Sequence, residues 1–172
     1  EGTLEQAMSS LLRKGGEPLI RKGVDLAMRL LGRQFVTGRT IDEALANARD
    51  REARGYTFSY DMLGEAAMTG ADAQRYYVAY DAAIHAIGRT ANGRGVFGGP
   101  GISMKLSALH PRFCRAQRER VLAELTPKLI TLARLAKDYD IGFAIDAEEA
   151  DRLEISLDLL ARCGLKYSRG KD

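Results

Sequence analysis

Two cysteines and two histidines are all the soft metal-binding chemistry this 172-residue chain offers. Cys114 and Cys163 have no metal-ligand spacing and no set of histidines beside them. That excludes a zinc finger or ribbon and leaves reduced thiols as the expectation. No apolar run is long enough to cross a membrane, and the amino terminus lacks a signal-peptide layout. Charge of one sign is scarce too. The 26 Lys and Arg interleave with 23 Asp and Glu to leave +3, so no basic stripe is available for nucleic acid. No Gly-x-Gly-x-x-Gly follows a strand candidate, and Gly93-Arg94-Gly95 precedes one. A dinucleotide-binding turn and a phosphate-binding P-loop are therefore both excluded.

What remains is a chain with 45% apolar and 28% charged residues, the composition and length of one well-packed globular domain. It begins at Glu1 rather than methionine, which raises the expectation of a piece of something longer. Residues 1–55 read as helical. Leu4, Ala7, Met8, Leu11 and Leu12 repeat at helix spacing up to Gly15-Gly16. A second helix is expected from Pro18 to Leu31, with Leu19, Ile20, Val24, Ala27, Met28 and Leu31 as its apolar face. Thr40-Ile41-Asp42-Glu43 has the form of a capping box opening a third helix that ends near Gly55.

Beyond Gly55 strands and helices alternate over residues 56–164, followed by a polar tail at 165–172. Tyr56–Leu63 is aromatic and β-branched between glycines and predicts a strand. Thr69-x-x-Asp72 predicts the cap of a long helix through Tyr76, Tyr77, Tyr80, Ile84 and Ile87. Ile102–Ser107 reads as a second strand with Lys105 in its middle. Next comes a helix over residues 115–137, expected to kink or split at Pro127. Ile141–Asp146 predicts a third strand. The acids Glu148, Glu149 and Asp151 then suit the start of a helix through Leu153, Ile155, Leu157, Leu159 and Leu160. Three strand–helix units imply parallel strands, in either a (β/α)₈ barrel or a doubly wound sheet.

Each expected strand carries one charge at or near its carboxyl end: Asp61, Lys105 and Asp146. In parallel α/β folds that end bears the functional site. If the strands are neighbours in order, Lys105 stands between two carboxylates and stays charged, suited to holding a carboxylate or phosphate. An exposed edge lysine, or an ion-pair network that merely bridges strand ends, are the structural alternatives. His85 reads as an ordinary helix residue, and His110, after the lysine strand, carries more weight. Glu65, Glu148 and Glu149 follow strands, with helix capping the expected role for these glutamates. Arg112 could reach an anion, although a loop arginine is usually solvated.

Three stretches, Tyr60–Ala67, Gly101–Arg112 and Ile145–Glu154, resemble the proline dehydrogenase domain of the bacterial bifunctional proline-utilization family. Gly16–Arg21 and Arg33–Gly38 are similar to the segment preceding that domain's barrel, so the likeness reaches to about Leu160. The resemblance implies the first three βα units of a (β/α)₈, TIM-like barrel after a small helical segment. It also implies an FAD-dependent oxidation of L-proline to Δ1-pyrroline-5-carboxylate, a step of proline catabolism, with electrons passed to a membrane quinone. By the same likeness Lys105 pairs with the proline carboxylate, Asp61 stands beside that lysine, Asp146 lies near the substrate pocket, and Met62 and Leu63 lie close to that pocket.

The family's Arg-Leu-Val-Lys flavin strand has no counterpart here, nor has the late helix with paired arginines. The expectation is thus an incomplete barrel, inactive alone, whose main FAD-binding residues are not identified in this chain. The resemblance implies a cytoplasmic, peripherally membrane-associated parent, which would bind DNA only through a module outside this chain. Two other readings are a flavin-free barrel lyase or aldolase that uses Lys105, and a non-catalytic interaction fragment.

Overall fold

The computed structural model describes residues 17–18, 20–25, 27–28, 32, 36–64 and 66–164. The chain divides into two compact units, Glu1–Arg49 and Asp50–Asp172.

The helix α1 (Ile41–Glu52) starts in the first unit, where the sequence places its cap. The Thr40 hydroxyl accepts from the Glu43 N–H, while the Glu43 carboxylate turns back to the N–H of Arg39 rather than that of Thr40. The helix expected from Leu4 lies outside the described residues, as do Leu19 and Leu31 of the second. Val24 and Met28, assigned to that helix's apolar face, are exposed.

The second unit is built on three short strands, β1 (Ser59–Asp61), β2 (Gly101–Met104) and β3 (Gly142–Ile145). They pair in parallel in the order β1-β2-β3. Two long helices connect them: α2 (Gly70–Thr90) from β1 to β2, and α4 (Arg118–Asp138) from β2 to β3. A single-turn helix α3 (Gly95–Gly98) leads into β2, and α5 (Leu153–Arg162) follows β3. The Thr69 capping box is complete: its hydroxyl accepts from Asp72 N–H, and the Asp72 carboxylate accepts from Thr69 N–H.

Strand alternation sorts the side chains. Tyr60, Ile102 and Met104 share one face and are buried against the helices. The core beneath them is Ile84 and Ile87 of α2 with Leu122, Leu125, Leu129 and Leu132 of α4, all at most 2% exposed. Each such side chain contributes roughly 1.5–3 kcal/mol by leaving water. α2 and α4 meet closely at Gly88, where an added Cβ would lie 2.1 Å from the Tyr139 ring. That ring is held edge-on to His85, whose Nδ1 is 2.8 Å from the Tyr139 hydroxyl. His85 is thus part of helix packing. On the same sheet face, the Tyr60 hydroxyl is buried without a partner, and burial followed by the Glu52 charge pushes its pKa up to about 12.

Several expectations need correction. β2 ends at Met104, so Lys105 is not mid-strand; it precedes a 3₁₀ turn, Leu106–Ala108, that fills the rest of the expected strand. α4 runs unbroken through Pro127, which removes one ladder bond but does not split the helix. In α5 only Ile155 and Leu159 are buried, one turn apart, whereas Leu153 and Leu157 are exposed. The polar tail 165–172 lies outside the described residues. Among the described residues no helix is long and apolar enough to cross a membrane.

Candidate active site

The other sheet face carries Ser59, Asp61, Ser103 and Ala144, with Gly101 and Gly142 at its amino end. Lys105 extends this face because its backbone remains extended past β2, at φ −106° and ψ 127°. Asp146 extends it beside Lys105, since its N–H donates to Met104 C=O across 2.9 Å. Parallel pairing in sequence order therefore brings three charges from three strands to one spot.

Lys105 Nζ lies 3.0 and 3.1 Å from the two Asp61 carboxylate oxygens and 3.1 Å from Asp146 Oδ2. Burial works against its charge, but the hydrogen bonds it donates to Asp61 and Asp146, then their charges, outweigh it and hold its pKa above the ordinary lysine value. The side chains are 19% exposed for Lys105, 29% for Asp146 and 46% for Asp61. Ion pairs this open to water add at most about 1 kcal/mol each to stability, so the effect of the trio is orientation. Asp146 is fixed further by Ser103, whose hydroxyl donates to its Oδ1.

Two contacts set the Lys105 backbone. Its N–H, past the end of the β1 ladder, donates to the Tyr80 hydroxyl at 3.3 Å. Tyr80 is 1% exposed on α2, and burial raises its pKa, so it remains a neutral phenol. Two residues on, Ser107 N–H donates to Glu148 Oε1 at 2.8 Å. Glu148 also accepts from Arg152 at 2.7 Å. Its carboxylate therefore does not cap its own helix; it crosses to the β2 loop.

The remaining candidates fall elsewhere. His110 is 2% exposed; its Nδ1 accepts from Arg112 N–H at 3.1 Å and its Nε2 faces Glu124 at 3.2 Å. That pattern puts the proton on Nε2. Burial pushes the pKa down against the pull of Glu124. The ring bonds within its own loop and to α4, not to the trio. Glu149 pairs with Arg152, Arg112 is exposed, and Met62 and Leu63 follow β1 directly, Leu63 being 77% exposed. Glu65 lies outside the described residues. Among the described residues no cluster of His, Cys, Asp and Glu is placed to hold a metal ion.

Sequence reasoning missed Tyr80, Ser103, Ser107 and the cross-loop role of Glu148. Ser103 was within reach, being two residues before Lys105 on an alternating strand. The others act through contacts at a sequence separation of 25 or more, which leave no local signal.

A parallel sheet that ends in a lysine between two aspartates defines an α/β protein with a charged cluster at its strand ends. The proline dehydrogenase family pattern matches residues 44–169. This chain belongs to the proline dehydrogenase family. It is 65% identical over 162 residues to the bifunctional protein PutA of Escherichia coli, covering 94% of this chain and 12% of that protein. Bradyrhizobium japonicum PutA, in a mutant crystal structure, superposes with a TM-score of 0.70 at 48% identity, over 95% of this chain and 16% of that one. A PutA structure with proline bound in remote sites matches equally, with a TM-score of 0.70 at 48% identity, over 92% of this chain and 16% of that one. The chain thus spans about an eighth of the length of the curated relatives it matches.

Proposed function

We propose that these residues form the substrate-carboxylate side of an FAD-dependent proline dehydrogenase, which oxidises L-proline to Δ1-pyrroline-5-carboxylate. One observation carries this reading: Lys105 Nζ sits within 3.1 Å of carboxylates on both neighbouring strands, on the open face of the sheet. A lysine has three N–H donors, and two carboxylate groups leave room for a third. Asp61 and Asp146 keep the ammonium charged and aimed, so the carboxylate of an amino acid meets a fixed cation. Met62 and Leu63, on the loop just past Asp61, would border the ring. The raised Lys105 pKa works against imine formation, which needs a neutral amine, and so against an aldolase reading.

We place residues 56–164 as the first three βα units of a (β/α)₈ barrel, residues 1–55 as a helical segment before it, and 165–172 as a polar tail. The parallel order β1-β2-β3, with the polar face turned away from the helices, supports that placement. The flavin fits the described residues only in part. Ser103 and Ala144 keep the sheet face next to the trio small-sided, but among the described residues no glycine-rich turn follows a strand to cradle a pyrophosphate. The flavin's phosphates would therefore be held by residues other than these. In this reading the flavin, when bound, would supply the redox chemistry that links proline to a membrane quinone, and the working protein is cytoplasmic and membrane-peripheral.

The test is Lys105→Met in the polypeptide as its gene encodes it, assayed by proline-dependent dye reduction. Loss of a charge-assisted contact costs about 1.5–3 kcal/mol, so the proline KM should rise by roughly 10- to 150-fold. An unchanged KM would refute the clamp. For the 172 residues alone, neither a flavin spectrum nor proline-dependent dye reduction is expected, and either signal would count against the barrel placement.

A further inference from the structure

We propose that Ser107 is the positioning residue that ties the three strand-end loops together and so holds Asp61 and Asp146 against Lys105. Ser107 is 2% exposed, in the 3₁₀ turn just after Lys105. Three of its polar groups reach the two other loops. Its Oγ accepts from the Ala66 N–H at 3.1 Å and its carbonyl accepts from the Ala67 N–H at 3.0 Å, both on the loop after β1. Its N–H donates to Glu148 Oε1 at 2.8 Å, on the loop after β3, and Arg152 anchors the other oxygen of that carboxylate.

Each contact lies close in sequence to one member of the trio. Lys105 is two residues before Ser107, Asp146 is two before Glu148, and Asp61 is five before Ala66. Strand pairing brings the three strand ends together, and because β1 is only three residues long and β2 and β3 four each, these loop contacts add alignment beyond the last ladder bonds. The backbone at Ala66 shows a constraint imposed from outside: its φ of 51° is left-handed, a conformation that alanine rarely adopts. The Ser107 Oγ bond is the contact that holds the Ala66 N–H in that conformation.

The inference rests on the clamp reading, and the experiment separates the two. In the polypeptide as its gene encodes it, Ser107→Ala removes the Oγ acceptor and keeps both backbone bonds. The proline KM should rise about two- to tenfold, the scale of one net hydrogen bond, with kcat nearly kept. The dissociation constant of a saturated five-membered-ring carboxylic acid lacking the amine should rise by the same factor. Ser107→Ala combined with Ala66→Gly should recover most of the loss, because glycine takes a positive φ without an anchor. If the alanine variant does not fold, Ser107→Cys, a weaker acceptor of similar size, should move both constants the same way. Unchanged KM and dissociation constant, a fall in kcat alone, or no rescue by glycine would overturn the proposal. If Lys105→Met raises KM while Ser107→Ala does not, the clamp stands and this inference falls. If Lys105→Met has no effect, both fall.

Discussion

The Lys105 N–H is capped by the Tyr80 hydroxyl, 3.3 Å away and reached from the middle of α2. Gly101 N–H pairs with Phe58 C=O, so the phenol stands where a fourth residue of β1, Met62, would have offered its carbonyl, and a side chain continues the ladder by one step. Tyr80→Phe removes that acceptor and keeps the ring packed. A net hydrogen bond is worth about 0.5–1.5 kcal/mol. The proline KM should therefore rise about two- to tenfold, with kcat nearly kept. Steady-state kinetics in which kcat falls and KM stays would show that Tyr80 acts otherwise.

Asp61 and Asp146 give the site a particular pH behaviour. The Lys105 pKa is raised, so the stabilisation from its ion pairs is fully present below the ordinary lysine value of 10.5 and fades only as pH climbs through the higher folded value. Affinity for an amine-free cyclic carboxylate should therefore show no lysine-dependent loss up to that pH. Asp61→Asn removes the hydrogen-bond partner with the largest stabilising effect on the ammonium. In that variant the alkaline loss of affinity should move to lower pH, as an equilibrium titration series would record.

His110 gives the opposite sign. Burial depresses its pKa below the ordinary 6.5, although Glu124 pulls the other way and Arg120 and Lys128 add to the depression. The unfolded chain then binds the proton more readily than the folded one. Stability should be level above about pH 6.5 and fall as pH drops from there towards the folded value. His110→Asn keeps an acceptor for the Arg112 N–H but does not titrate there. Thermal melts across this range should lose that slope in the variant.

Gly88→Ala is expected to destabilise without touching the site. The new Cβ would meet the Tyr139 ring at 2.1 Å, and forcing α2 from α4 costs about 1–3 kcal/mol. The melting temperature should drop by several degrees while the proline KM is unchanged. An unaltered melt would mean that Tyr139 moves aside at little cost.

The outline of the site was legible because parallel α/β folds gather strand ends. Asp61, Lys105 and Asp146 each fell at or near the carboxyl end of an expected strand, and once the strands pair in order their meeting follows. The caps at Thr40 and Thr69 were legible for a similar reason: a cap is chemistry between residues three apart. What could not be read is what depends on tertiary approach. Glu148 has the sequence context of a helix-start acid, and only the proximity of the Ser107 N–H recruits it elsewhere. Lys105 looked mid-strand because Leu106, Ser107 and Ala108 are apolar or small, and such residues fit a 3₁₀ turn as well as a strand. Pro127 looked like a breaker, yet packing of α4 along Leu125, Leu129 and Leu132 keeps the helix continuous through one missing bond.

The brevity of the outer strands bears on how such a segment survives with its sheet open. Among the described residues β1 and β3 each have one flank without a strand beside it, which is the usual invitation to pairing between molecules. At three and four residues they offer few free backbone groups, too short a template for a stray chain to extend. Chains made side by side on one messenger would therefore find little at either flank to pair with.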